Sequence, residues 1–582
     1  MPADRYPPWP LEAGDLDRFL ERSEDEADFR ESLEELLCSL PLQRAEHLML
    51  LLRHSRAAWL PLLRTRAGRA LFIGNAFSGA GAGLAFLGWE VTLRDESPSR
   101  LAFADARARG LKLPMQTEHS EGARRLPHED ESFDLVVCDQ SMAVNEAELA
   151  RVSRGEVVLI ADNRYGYKRS TGVHGEFELR RPGEYLKSIF SGEGRSLAEH
   201  TSALKRAGLV GLRPHALYPD SRDFTFCVSL GDAGPTLPLG PKERANRLKV
   251  LANSLGLFPH LTPSYALIAH KPRARLQRPL ADLLAREALG SDEAHAPDLE
   301  HLVNTRGSNA LLLTGGERAL ALHVPMEAFQ KRHVKRHIAA LSELRDEHPE
   351  LPVPRSFGVV MAEGIWYSAE ERLPGLTAGQ ICGDHLRVGR MLQDVSQHFS
   401  TLTTRPPAPF TERDCERLIS ERARRVIERA REPGTIATLR EMERRAREAL
   451  LGKIFPLVRT HGDLRSKHVQ VDGEGNVLGY LDWGSTEQQD LPLFDLLHLV
   501  IHERKQEAGV KPGHAWRLLE GVGGELRAHE RSALDSYSAA LNLPLDVIRA
   551  IEDLYPLLVA DVAERSWDFS RPDWVHRFFF DL

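Results

Sequence analysis

Between Arg69 and Lys271 the chain repeats one pattern that few architectures satisfy: a short apolar run, then a stretch with helical spacing. The runs read ALFIG, VTLRD, FDLVVC and EVVLIAD, followed later by FTFCVSL and SYALIAH. Apolar runs this short read as strands, and strands alternating with helices cannot be joined by tight hairpins. They must lie parallel, with helices crossing over the faces of the sheet, so the pattern predicts a doubly wound α/β unit. The last two runs, separated by a helix-like stretch, are expected as an antiparallel edge.

The rest of the chain reads differently. From Leu16 to about Leu63 acidic residues precede apolar ones at three-to-four spacing (Leu33, Leu36, Leu37, Leu40), which predicts an amphipathic helical cap. Residues 272–300 mix proline, charge and small side chains after what reads as a last strand, and are expected as a linker. Short strands around LLLTGG, RALALHV and FGVV flank a basic helix from Glu327 to Asp346, a small α/β lobe. From Thr411 onward the pattern is helical, interrupted only by THGDLRSKHVQVDGEGNVLGYLDWG, where VQV and VLGYLDW flank the turn GEGN as a hairpin. The expected division is an extension over 1–65, an α/β domain over 66–272, a linker over 273–300, a small lobe over 301–375 and a large lobe over 376–582; the 582 residues give each large domain room for a full core.

Composition narrows the function classes. Apolar residues at 42% and charged residues at 27% are those of a globular protein, and a formal net charge of −8 provides no basic field to collect nucleic acid. Cys38, Cys138, Cys227, Cys382 and Cys415 form no CxxC pair, which fits buried, reduced thiols in a cytoplasmic protein. The N-terminal segment has no apolar core of a signal peptide, and no stretch reaches the roughly 18 apolar residues of a membrane span.

The strongest chemical signal is His461, Gly462 and Asp463, followed by His468 and by Asp482 in LDWG. A loop running into a hairpin brings one carboxylate from the loop and another from the end of the second strand into one place. Phosphoryl transfer needs such a pair, one group to receive a hydroxyl proton and one to hold a metal ion against the nucleotide phosphates. HGDLRSKH, LDWG and the following DLPLFDLLHL resemble the aminoglycoside phosphotransferase and choline kinase superfamily, from about Val303 to Leu582. That resemblance implies a bilobal, protein kinase-like α+β domain using ATP with Mg²⁺ or Mn²⁺. Carried over, Asp463 is the catalytic base, Asp482 the main metal ligand and Asp495 the support of the loop; His468 stands where the family has a metal-binding asparagine. EERLPG, with Glu371, resembles the hinge between lobes. His323 takes the strand position of the phosphate-pairing lysine and His337 that of its glutamate partner, which leaves Lys331 and Lys335 as candidate phosphate cations. His333 and His337 are spaced as zinc ligands on a helix would be, but they lie among Arg and Lys with no glutamate after His333, and a solvated basic face is expected.

In the N-terminal half, RALFIGNAFSGAGAG places small residues in a strand-to-helix turn, where backbone amides approach a ligand, and VTLRD ends the next strand on an acid suited to ribose hydroxyls. With LPHEDESFDLVVCDQ and ELARVSRGEVVLIADNRYGY, the segment 69–271 resembles class I S-adenosylmethionine-dependent methyltransferases. By that resemblance Gly74, Asn75, Ser78 and Gly79 line the amino-acid side of S-adenosylmethionine and Asp95 takes its ribose. Glu121 and the Gly122 region approach the adenine, and Asp139 and Gln140 face the reacting methyl. Phe72 replaces the early acid of the glycine loop, which also lacks its middle glycine. DNRYGYKRSTGVHGE and YPDSRDF read as an acceptor pocket or as polar surface loops.

The sequence thus predicts an α/β Rossmann-like methyltransferase domain followed by a bilobal protein kinase-like α+β domain. The expected function is a bifunctional enzyme that phosphorylates a hydroxyl on a small molecule or glycan and methylates the same or a related acceptor. Its alternative is a pseudoenzyme that binds nucleotide or partners without turnover, the reading favoured by His323, His337, His468 and Phe72.

Overall fold

The computed structural model describes residues 13–22, 26–120, 125–139, 144–166, 194–221, 223–231, 254–290, 298–305, 307–517, 526–566 and 574–581. The chain forms two compact units, Met1–Lys331 with Val359–Ala369, and Arg332–Gly358 with Glu370–Leu582.

The first unit is built on one sheet. Its strands are β1 (Arg69–Ile73), β2 (Glu90–Asp95), β3 (Met115–His119), β4 (Phe133–Asp139), β5 (Ser153–Asp162), β6 (Val210–Tyr218), β7 (Phe226–Ser229), β8 (Ser264–His270), β9 (Leu299–Thr305), β10 (Asn309–Thr314) and β11 (Leu320–Pro325). To these are added β12 (Ser356–Ala362) and β13 (Ile365–Glu371), which enter the unit through Val359–Ala369. The order across the sheet is β12-β13-β11-β10-β9-β7-β6-β8-β5-β4-β1-β2-β3. Strands β3, β2, β1, β4 and β5 are parallel. The central ones are apolar on both faces because helices cover both: Leu71, Phe72, Ile73, Val136, Val137, Val157 and Val158 are all buried. The doubly wound fold is therefore as expected.

Its far side is not. FTFCVSL and SYALIAH do not pair with each other and neither is an edge: β8 runs antiparallel between β5 and β6, and β7 pairs antiparallel with β6 and β9. Strand β6, VGLRPHALY, intervenes. Its Arg213 and His215 break the apolar run, yet they are used inside the unit, Arg213 donating to Glu156 at 2.6 Å and to the Leu62 carbonyl at 2.7 Å. Beyond β7, the pairings Phe226 with Val303 and Cys227 with Leu302 join the small antiparallel strands β9 to β11 to the same sheet.

Within 273–300, expected as a linker, the helix Leu280–Leu289 buries Leu280, Ala281, Leu284 and Ala285, and the Leu284 carbonyl accepts the Tyr367 hydroxyl at 2.7 Å. The N-terminal cap is helical as expected, over Ala13–Arg22, Glu26–Ser39 and Leu42–Leu52.

The second unit is mostly helical around two three-stranded sheets. One contains β14 (Leu376–Thr377), β17 (Val469–Val471) and β18 (Val477–Tyr480), and the other β15 (Thr403–Pro409), β16 (Ile454–Thr460) and β19 (Glu487–Asp490). The GEGN hairpin is present as β17 and β18. Strands β16 and β19 are additional to the helical expectation from Thr411 onward, and just before it the prolines in TTRPPAP mask β15, which pairs with β16 from one side only. The core below the hairpin stacks Phe399 against Trp483, with Tyr480 edge-on.

Candidate active site

The loop between β16 and β17 carries His461 to His468. Its first turn is fixed from below by Asp495 in the opening turn of helix Phe494–Ala508, whose two oxygens accept the backbone N–H groups of His461 (2.7 Å) and Gly462 (2.9 Å). Gly462 has φ +81°, and a β-carbon there would lie 2.3 Å from the Ser485 carbonyl oxygen, so only glycine lets the loop pass. Burial pushes the Asp495 carboxyl up, to about 7, against the pull of those two N–H groups.

The structure brings Asp463, His468 and Asp482 together. His468 Nδ1 lies 2.7 Å from the Asp463 carbonyl oxygen, and its Nε2 lies 3.3 Å from Asp482 Oδ2. The other oxygen of Asp482 is 2.8 Å from His333 Nε2. Asp482 adopts a left-handed backbone, φ 64° and ψ 56°, at the entry to the WGS turn. That turn is held at its next residue, where the Trp483 N–H donates to His337 Nδ1 at 3.0 Å, and His337 Nε2 in turn reaches Glu370 at 2.5 Å. Asp463 is paired with Arg465 and with His498, whose Nε2 is 3.4 Å from Asp463 Oδ1 and whose Nδ1 meets the Tyr555 hydroxyl at 2.7 Å.

These surroundings set the charges. Burial alone would raise the Asp463 carboxyl, but Arg465, with His498 and His468, holds it well below the usual carboxylate range. For Asp482 the same opposition is resolved downward, chiefly by His333. Burial brings His468 down to about 3 and His461 to about 4, so both are neutral imidazoles at neutral pH. The result is two ionised carboxylates, of which Asp482 keeps 40% of its side chain exposed, beside a neutral imidazole. One carboxylate oxygen and one imidazole nitrogen are a donor pair that fits a divalent cation.

His333 and His337 do not form a solvated face. His337 is 2% exposed and both rings are directed at the turn that carries Asp482 and Trp483, because helix Ala328–Glu347 packs that side against it. Of the candidate nucleotide residues, Lys335 and Glu371 are exposed in this second unit, Glu371 accepting the Arg355 N–H at 3.3 Å. His323 and Lys331 are in the first unit, where His323 Nδ1 accepts from Asn309 at 3.1 Å and Lys331 lies 5.2 Å from the Trp366 ring centre. Sequence reasoning assigned no role to Arg465, His498 or Tyr555. The available signal was His498 three residues after Asp495 on one helix face, and Arg465 inside the quoted motif.

In the first unit the candidate cofactor residues gather where the parallel strand order reverses, between β1 and β4, which is where open α/β sheets bind ligands. A β-carbon on Gly74 would lie 2.8 Å from that of Asp139, so the two strand ends touch. Asn75 Oδ1 accepts the Phe77 N–H, and Ser78 caps helix Gly79–Phe86. The start of that helix is covered: a β-carbon on Gly79 would lie 2.1 Å from the Arg53 carbonyl oxygen, and Arg56 donates to Ser78 Oγ at 3.1 Å. Asp95 is fully buried, and its oxygens accept Ala76 N–H (2.7 Å), Ser97 N–H (2.9 Å) and both arms of Arg100 (2.7 and 2.5 Å). Glu121, Gly122 and Gln140 lie outside the described residues, as does most of DNRYGYKRSTGVHGE.

Residues 305–530 match the profile of the phosphotransferase enzyme family. No curated protein matches the chain in sequence. Among solved structures, the chain is similar to aminoglycoside phosphotransferase APH(3'')-Id from Streptomyces rimosus in complex with ADP and streptomycin, at 18% identity over 49% of this chain and 97% of that one, with a TM-score of 0.30. It is also similar to WbdD in complex with a kinase inhibitor, at 11% identity over 82% and 84% with a TM-score of 0.25. A third similar structure is an S-adenosylmethionine-dependent methyltransferase from Aquifex aeolicus, at 16% identity over 28% and 82% with a TM-score of 0.21. No helix among the described residues is long and apolar enough to cross a membrane. Residues 305–530 thus match the phosphotransferase enzyme family, and they follow a region whose β1 to β5 form a parallel, Rossmann-like α/β fold.

Proposed function

We propose that the chain is a cytoplasmic two-activity transferase, in which the C-terminal site passes a phosphoryl group from ATP to a hydroxyl on a small molecule or glycan and the N-terminal fold methylates the same or a related acceptor. Its domains on this reading are 66–272 and 301–582, after an extension over 1–65 and with 273–300 between. The observation that carries it is the convergence of Asp463 and Asp482 on His468 at the end of one loop and one hairpin. Asp463, kept ionised by Arg465, orients the acceptor hydroxyl and takes its proton as the oxygen attacks. Asp482 and His468 would hold a divalent ion, which when bound neutralises phosphate charge. His333 and His337 keep the turn that carries Asp482 in place. Lys335 and Glu371 are the nucleotide contacts proposed for the second unit and His323 and Lys331 those proposed for the first, and Gly74, Asn75, Ser78, Gly79, Asp95, Glu121 and Asp139 are those of S-adenosylmethionine.

Calorimetric titration with S-adenosylmethionine, and separately with ATP and GTP plus Mg²⁺ or Mn²⁺, tests both halves. Micromolar binding of both ligand classes is expected, and absence of nucleotide binding with either metal would reject the phosphotransferase reading.

One observation favours a second reading for the N-terminal half, a fold that binds partners without methyl transfer: Asp95 has no oxygen left for a ribose while Arg100 holds it. Arg100→Ala discriminates. If the domain is a methyltransferase whose pocket opens by release of Arg100, the variant binds S-adenosylmethionine more tightly; if neither protein binds it, the second reading stands.

A further inference from the structure

We infer that the cation site at Asp482 takes a first-row transition-metal dication of the Mn²⁺ to Co²⁺ class in preference to Mg²⁺, with His468 Nε2 as its nitrogen ligand and His333 as the residue that aims the carboxylate. The inference rests on the phosphotransferase reading and adds to it the identity of the ion.

The argument begins with the proton on His468. Its Nδ1 is 2.7 Å from the carbonyl oxygen of Asp463, an atom that can only accept, so Nδ1 carries the hydrogen. The ring is 5% exposed and cannot turn away without breaking that bond. Its remaining nitrogen, Nε2, then presents a lone pair to Asp482 Oδ2 at 3.3 Å, where another acceptor waits. Two acceptors facing each other at that distance form a position for a cation. A backbone carbonyl fixing one imidazole nitrogen so that the other binds metal is the usual outer-shell arrangement of histidine ligands.

The rest of the cluster divides the carboxylate. Oδ1 of Asp482 is taken by His333 Nε2 at 2.8 Å, which leaves Oδ2 for the ion. The His333 ring reaches that position only because residue 484 is glycine, since a β-carbon there would lie 2.3 Å from the ring. The left-handed backbone at Asp482 is held on its other side by the Trp483 N–H bond to His337. Chain elements far apart in sequence thus fix one oxygen and one nitrogen beside each other.

That donor pair decides the metal. Mg²⁺ requires hard oxygen ligands in a strict octahedron, whereas ions along the series from manganese to cobalt accept imidazole with carboxylate and bind mixed nitrogen and oxygen sites with increasing strength.

The test uses the full chain with ADP, reading Mn²⁺ binding by electron paramagnetic resonance and Mg²⁺ by displacement. Wild type is expected to favour Mn²⁺ over Mg²⁺ by about 100-fold or more, and His468→Asn to reduce that ratio about tenfold or further as an amide oxygen replaces the imidazole. Pulsed resonance of bound Mn²⁺ is expected to show imidazole-nitrogen coupling in wild type that is missing in His468→Asn. His333→Asn is expected to weaken both ions alike and leave the ratio unchanged, as suits a positioning residue. An equal ratio in wild type and His468→Asn, with no nitrogen coupling, would overturn the inference while leaving the phosphotransferase reading in place. Failure of wild type to bind either ion with ADP would remove that reading itself.

Discussion

Asp463 and Asp95 are the two acids that most resemble working residues, and the fold treats them oppositely. Asp463 sits on a loop held from beneath by Asp495, keeps 23% of its side chain exposed and is balanced by Arg465 and His498. Asp95 is fully buried, and a bidentate arginine and two backbone N–H groups use its oxygens. Two acids that look alike in sequence thus differ in how much of the chain's own hydrogen bonding they carry, four bonds on Asp95 against the Arg465 and His498 partners of Asp463.

The comparison breaks first at Asp463→Asn, which keeps the shape but removes the base. ATP-dependent transfer to any acceptor is expected to fall about 10²- to 10⁴-fold while the far-ultraviolet circular dichroism of the folded protein is retained. Undiminished turnover would show that Asp463 is structural after all. The mirror experiment, Asp95→Ala, is expected to cost about 2–4 kcal/mol of stability in chemical denaturation, because Arg100 and the Ala76 and Ser97 amides lose their acceptor. If stability is retained while S-adenosylmethionine binding is lost, Asp95 belongs with the ligand-handling acids and the contrast disappears.

A smaller effect sharpens the C-terminal side. Gly484→Ala sets a methyl group against the His333 ring and is expected to destabilise by about 1–3 kcal/mol and to weaken metal binding at Asp482. Wild-type metal affinity in that variant would mean that His333 does not aim the carboxylate. The smallest effect compares the units through their buried histidines. Burial brings His200 and His215 in the first unit, and His461 in the second, down to about 4 from an ordinary 6.5. The unfolded chain binds these protons first, so their contribution is present above pH 6.5 and is lost as pH falls through 4. Asp495, pushed up to about 7 from 3.8, acts in the opposite sense, its contribution being present below 3.8 and lost as pH rises through 7. Thermal melting against pH is expected to show a shallower acid loss for His215→Gln and for His461→Gln; curves parallel to wild type would count against burial as the cause.

Several features were legible because they are local. Strands β1, β4, β5 and β8 announce themselves as apolar runs, since a strand covered on both faces admits little else. HGD and LDW were legible for a related reason: a short loop and the end of the following hairpin are close in the chain, so their spacing nearly fixes their meeting. Strands β3 and β6 were not legible, because MQTEH lies at the sheet edge, where polar side chains meet solvent, and because β6 carries His215 and Arg213, the latter with partners Leu62 and Glu156 distant in sequence.

The sequence by itself determined the alternation that makes strands β1 to β5 parallel and the spacing of the two carboxylates in HGD and LDW, since periodicity and short-range spacing act before any tertiary contact. Only the tertiary structure decided which side chains surround those acids. The histidines of helix Ala328–Glu347 read as a solvated face until helix packing turned them onto Asp482 and Trp483, and the partners that Asp95 finds in Arg100 and the Ala76 amide are equally invisible in its sequence setting. The physical reason is the same in both places: a polar group taken out of water must find a partner, and which partner it finds depends on the packing of elements that sequence order does not set side by side.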